Sequence, residues 1–222
     1  MKKLILISLF FLVSAAVWAG PTITQRNWRW RADNGNQTSA TWLAAENTAI
    51  TINDLNPVRL RLLIDNDSDD PKSFNSALSY ATSTNGPWFP VNTVMGAKEF
   101  SLISSAFVTH GEATTSQLTG APTNTFVAGK VILANSTFDQ NLAAKTKTEY
   151  EWVIKPNASL AQNTTYYFKM NADEVPSYPT LVTSATLPVT PKIVSNGGFE
   201  ADLDSWQTFT YGASAATYEI VT

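Results

Sequence analysis

The polar and apolar positions of this chain repeat every two residues far more often than every three or four. Asn56-Pro-Val58-Arg-Leu60-Arg-Leu62-Leu-Ile64 alternates until Leu63, placing Val58, Leu60, Leu62 and Ile64 toward a core and Arg59 and Arg61 toward solvent. Gln25-Arg-Asn-Trp28-Arg-Trp30-Arg31 repeats the pattern with both tryptophans on one face. Glu149-Tyr150-Glu-Trp152-Val-Ile154 and Tyr166-Tyr-Phe168-Lys-Met170 are two further strand-like runs. Phe74 to Tyr80 and Thr125 to Leu133 fit strands less cleanly, and Leu181 to Leu187 is strand-like. Thr41 to Glu46 predicts a helical turn.

Turn-forming clusters separate these runs: Asp33-Asn-Gly-Asn36, Asp65 to Pro71, Thr84-Asn-Gly-Pro87 and Pro156-Asn-Ala-Ser159. Glycine and asparagine supply positive φ there, and Asp and Asn side chains bond to their own backbone. Many short strands rich in Thr, Val and aromatics, spaced by such turns, predict an all-β domain: an Ig-like antiparallel β-sandwich. There is no internal repeat.

The two ends differ from this middle. Lys2-Lys3, an apolar stretch from Leu4 to Val17, and small residues at Val17-Trp-Ala19 have the order of a secretory signal peptide over residues 1–19. The apolar stretch is short for a membrane span of about 20 residues, so the mature chain is expected to be exported without membrane insertion. The predicted sandwich occupies 20–187, a Pro-containing linker 188–192, and a second segment 193–222.

The chain has no cysteine, so an exported fold must rely on packing rather than disulfides. Its formal net charge is −3, more negative once Lys2 and Lys3 are removed, and it lacks a basic block. That balance argues against nucleic acid and anionic lipid surfaces as partners.

Candidate chemistry is sparse. His110 is the single histidine and reads as a solvated loop residue; no Gly-x-Ser-x-Gly elbow accompanies it. One imidazole and no thiol cannot build a His- or Cys-based zinc site. Glu149 and Glu151 are a carboxylate pair of the kind glycoside hydrolysis uses, but their spacing places them on one strand face, expected to be solvated. Asp65-Asn-Asp67-Ser-Asp69-Asp70 has alternate carboxylates that read either as a structural calcium site or as an acidic turn. Position six of a calcium loop of the EF type would be Asp70 rather than Gly, and position twelve Ser76 rather than Glu. Trp28, Trp30 and Trp152 share faces with apolar residues and are expected in the core. Trp42 is another aromatic able to stack on a sugar, while Trp88-Phe89, following Asn85-Gly-Pro, is the best candidate for an exposed carbohydrate-binding pair.

Two resemblances add to this reading. Trp28-Arg-Trp-Arg-Ala-Asp-Asn-Gly, followed by Ala40-Thr-Trp42-Leu-Ala-Ala-Glu46, resembles the start of an uncharacterised β-sandwich module of bacterial secreted and surface proteins, over roughly residues 22–188. The acidic loop from Asp65 to Asp70 departs from that pattern. The resemblance implies fold and location, not chemistry. Asn196-Gly-Gly-Phe199-Glu200 with Leu203 and Trp206 is similar to the first strands of family 4/9-type carbohydrate-binding modules, a galactose-binding-like jelly roll left incomplete at residue 222. It implies a role for Glu200 in a structural calcium site. Taken together, the expectation is a non-catalytic exported spacer, adhesion or assembly module of a longer protein, whose partners are other surface proteins or polysaccharide. The alternative is the carbohydrate-binding N-terminal part of a secreted polysaccharide-degrading enzyme.

Overall fold

The computed structural model describes residues 22–94, 98–119, 123–135 and 138–188. The expected signal peptide, the end of the linker and the whole second segment, including Glu200, lie outside the described residues.

The described chain is all-β. Its strands are β1 (Ile23–Ala32), β2 (Ile50–Ile52), β3 (Val58–Asn66), β4 (Lys72–Asn75), β5 (Leu78–Ala81), β6 (Phe89–Pro90), β7 (Phe100–Leu102), β8 (Thr125–Phe126), β9 (Val131–Ile132), β10 (Asp139–Leu142), β11 (Thr146–Pro156), β12 (Thr165–Met170) and β13 (Thr180–Thr183). One sheet is built on β1-β3-β11. The second edge of β11 is shared along its length by β8 at Thr146–Lys147, β9 at Glu151–Trp152 and β7 at Ile154–Pro156. The other sheet runs β2-β13-β12-β5-β6, and β4 and β10 form a separate ribbon. Most pairs are antiparallel, as expected, but β8 and β9 run parallel to β11 and β2 runs parallel to β13. The sandwich is therefore mixed where its edges are patched by short strands.

One core lies between the sheets. Trp30, Leu60, Leu62, Tyr150, Trp152 and Ile154 enter from the first, and Leu78, Tyr80, Tyr166, Phe168, Met170 and Leu181 from the second. Ring contacts cross the gap: Trp30 meets Phe168 edge-on at 5.3 Å, and Phe100 meets Tyr166 and Phe168 at 5.0 Å each. Burying each such side chain contributes about 1.5–3 kcal/mol, which offsets the absence of covalent cross-links. The three core indoles also satisfy their N–H groups, Trp28 on Ser177 Oγ, Trp30 on the Thr180 carbonyl and Trp152 on the Ser76 carbonyl. The core positions read from alternation in these strands are correct.

Several expectations are corrected. Thr125 to Leu133 is two short strands, β8 and β9, and the strand at Leu181 ends at Thr183. Phe74 to Tyr80 is not one strand: Asn75 Oδ1 accepts the Ala77 N–H at 3.1 Å, turning the chain between β4 and β5, which belong to different sheets. Thr41 to Glu46 makes no helical turn; it lies extended along β1, with a bridge between Trp42 and Arg31 and the Leu43 N–H donating to the Trp30 carbonyl. Arg59, Arg61, Glu149 and Glu151 are not in solvent. All four are fully buried, because the connections after β1 and after β7 fold over the outer face of the first sheet.

Candidate functional site

Alternation along β12 directs Tyr166, Phe168 and Met170 into the core and leaves Tyr167 and Lys169 half-exposed on the outer face of the second sheet. The loop before β13 adds Tyr178 there, and the turn before β6 adds Trp88. Gly86 shapes that turn with a φ of 80°, and a Cβ at this position would stand 2.9 Å from Trp88 Cδ1. Trp88 and Tyr178 stack with ring centroids 5.6 Å apart and planes 21° from parallel. Tyr167 meets Tyr178 edge-on at 6.4 Å. The Lys169 ammonium lies 4.4 Å from the centre of the Trp88 ring.

Phe89 does not share this platform. It is the cross-strand partner of Tyr80 and tilts against that core ring at 5.9 Å while remaining 38% exposed at the sheet edge, with the Lys98 ammonium 5.1 Å from its ring. Successive residues of an extended chain point to opposite faces, so the adjacency that made Trp88-Phe89 look like a pair is what separates them. Tyr167, Lys169 and Tyr178 were missed. Tyr167 and Lys169 were legible as the outward positions of a recognised strand; Tyr178 reaches the site only through folding.

The acidic turn is already furnished with cations. Asp65 is fully buried on β3, where Arg26 pairs with it at 3.2 Å and Asn124 Nδ2 donates to it at 2.6 Å. Asp67 and Asp69 are exposed and share Lys145, at 3.7 and 3.4 Å. Asp65 thus has its own cation, Arg26, although Asn124 Nδ2 also reaches Asp67 at 3.4 Å. Among the described residues no three His, Cys, Asp or Glu side chains stand together as a metal-holding group. His110 is exposed, with Nδ1 accepting the Leu133 N–H at 3.1 Å and its ring tilted on Phe138 at 5.1 Å.

The carboxylate pair of β11 sits in a different environment. Arg61 donates through Nε to Glu149 at 2.5 Å and through a terminal nitrogen to Glu151 at 2.6 Å. Glu149 also accepts the backbone N–H groups of Gln117 and Leu118, at 2.8 and 2.9 Å. Arg59 joins Glu151 at 3.3 Å and pairs with Asp33, while Arg31 Nε stands 3.7 Å from Glu151. Gln37 ties the covering segments together, donating to Glu112 and the Ala113 carbonyl and accepting from Arg31, Arg61, Thr115 and Gln117. Trp42 lies against the guanidinium groups of Arg29 and Arg31 at 4.5 and 3.8 Å. Burial pushes the Arg31 guanidinium down to about 10, against the pull of Glu151 in the other direction. A small apolar cluster of Val108, Val131, Leu133 and Val153 continues the same interface.

This network was missed as well, although a signal existed. Arg59-x-Arg61 and Glu149-x-Glu151 are matching charge pairs on two predicted strands, and opposite charges favour cross-strand neighbours. Arg61 is in fact the register partner of Glu151. Comparisons of the chain with models of protein families, with curated proteins and with solved structures find no match.

Proposed function

We propose that the chain is a non-catalytic exported module, acting as spacer, adhesion or assembly domain within a longer modular protein of the secreted or cell-surface class. The observation that carries this reading is the state of Glu149 and Glu151. A glycosidase leaves one carboxyl free to protonate the leaving group and another facing the sugar or a water. Here both are sealed under two chain segments and engaged by guanidinium and backbone donors, an arrangement suited to holding a sandwich together. A cleft of about 380 Å³ beside β2 offers one ionisable side chain, Asp54, rather than an acid–base pair. The signal-like N-terminus and the motif from Asn196 to Trp206 support export and modularity.

The test is incubation of the purified chain with a panel of polysaccharides, reading reducing ends released. No release is expected. Release that disappears in Glu149→Gln or Glu151→Gln, with the variants still folded, would overturn the reading.

A second reading, carbohydrate binding without catalysis, is favoured by the half-exposed Trp88–Tyr178 stack. Aromatic faces offer the flat apolar surface on which the C–H groups of a pyranose ring settle. Polysaccharide pull-down by the full chain, lost in Trp88→Ala, is the expected result.

A further inference from the structure

We infer that the outer face of the second sheet binds an acidic glycan, one bearing uronic acid groups, with Trp88 and Tyr178 as the stacking surface and Lys169 as the anion partner. The inference rests on the carbohydrate-binding reading above and specifies its ligand.

Lys169 supplies the positive charge of this face. Its ammonium is in no ion pair among the described residues and lies on the indole of Trp88, 4.4 Å from the ring centre. An ammonium settles on an aromatic face because the ring quadrupole attracts it, but the gain at an exposed site is small, about 0.5–1 kcal/mol. It is a resting place that an anion readily displaces. The carboxylates of the loop carrying Tyr178 do not compete for it. Asp173 bonds Lys72 and the Ile23 N–H, and Glu174 accepts the Thr24 hydroxyl, so both are directed to the start of β1 and to β4. The chain as a whole is acidic, and Lys98, on the adjoining Phe89 at 5.1 Å, is likewise in no ion pair among the described residues.

The aromatic part supplies what a simple anion would not use. Trp88, Tyr178 and Tyr167 are linked ring to ring on the sheet's outer face, each partly exposed. Tyr167 is held by β12, Trp88 by the turn before β6 and Tyr178 by the loop before β13. A sugar ring set against this surface would bring a carboxylate at its C6 position within reach of the flexible Lys169 side chain rooted in β12. A neutral sugar would gain the stacking alone, and a polyanion without sugar rings would gain the charge alone.

The full chain, with Trp88→Ala and Lys169→Met variants whose folding is checked by near-ultraviolet circular dichroism, is titrated with polygalacturonate, with a neutral galactomannan and with polyglutamate. Polygalacturonate is expected to bind best. Trp88→Ala should weaken it about tenfold or more, as for a central aromatic anchor. Lys169→Met should weaken it about two- to fivefold and flatten its salt dependence, as for loss of a single exposed charge contact. Galactomannan bound as tightly as polygalacturonate, through Trp88, would preserve carbohydrate binding and overturn the acidic ligand. Equal affinity for polyglutamate, or binding unaffected by either variant, would show that stacking and Lys169 are not the recognition elements. No binding to any of the glycans would remove the carbohydrate-binding reading itself.

Discussion

Glu151→Gln is the substitution to which the first sheet is expected to respond most sharply. The side chain is fully buried and faces three guanidinium groups, with Arg61 at 2.6 Å, Arg59 at 3.3 Å and Arg31 at 3.7 Å. Asp33, Glu149 and Glu151 balance these cations one for one. Glutamine keeps the shape but leaves one positive charge without a counter-charge in a desolvated site. Breaking a buried pair from one side costs about 3–5 kcal/mol. A whole domain is stable by only about 5–15 kcal/mol, so the variant should fall well toward the threshold of folding. For a domain of this size the loss corresponds to a drop in Tm of roughly 6–20 °C. Urea unfolding followed by tryptophan fluorescence, with thermal unfolding by circular dichroism, measures both quantities. The double variant Arg61→Met/Glu151→Leu removes one charge of each sign, and part of the stability should return because apolar groups fill a buried site without desolvation cost. A cost below about 1 kcal/mol for Glu151→Gln would place the pair among solvated surface ion pairs and refute the sealing of this face.

Other outcomes test other parts of the structure. Burial raises the phenols of Tyr80, Tyr150 and Tyr166, with the Glu99 carboxylate adding to the shift at Tyr80. A group whose folded pKa lies above its unfolded value of about 10 gives stability that is complete below that pH and lost as pH rises from there through the raised folded value, so unfolding in alkali should accompany ionisation of these three. Reversible titration of every tyrosine near pH 10 with an unchanged near-ultraviolet spectrum would contradict this. At Gly129 an added Cβ would lie 2.1 Å from the Glu149 carbonyl oxygen, so Gly129→Ala must displace the β8–β9 connection from β11. A loss of about 1–3 kcal/mol in urea unfolding is expected, and a neutral result would mean the connection moves freely. Millimolar calcium should leave the Tm unchanged, since Arg26 and Lys145 already neutralise Asp65, Asp67 and Asp69. A calcium-dependent rise abolished by Asp65→Asn would show instead that an ion displaces them.

The long strands β1, β3, β11 and β12 and their inner faces were legible in the sequence, whereas the short β2, β6, β7 and β10 were not. Backbone pleating imposes a period of two on every residue, so Val58, Leu60, Leu62, Trp28, Trp30, Tyr150 and Trp152 announced the core wherever a run was long enough. The candidate sugar platform was half legible: Trp88 was found and Tyr167 and Lys169 stood at outward positions of a recognised strand, but bringing them together depends on the order β12-β5-β6 and on where the loop after β12 returns. Alternation alone places Arg59, Arg61, Glu149 and Glu151 opposite the core. Periodicity states which face a residue occupies, not whether something covers that face. Their burial is a product of folding, because the cover comes from residues 24 to 54 positions away, Gln37, Thr115 and Gln117 among them, whose polar character locally reads as loop. Once those segments close over β3 and β11, the same charges that would have been hydrated must satisfy one another.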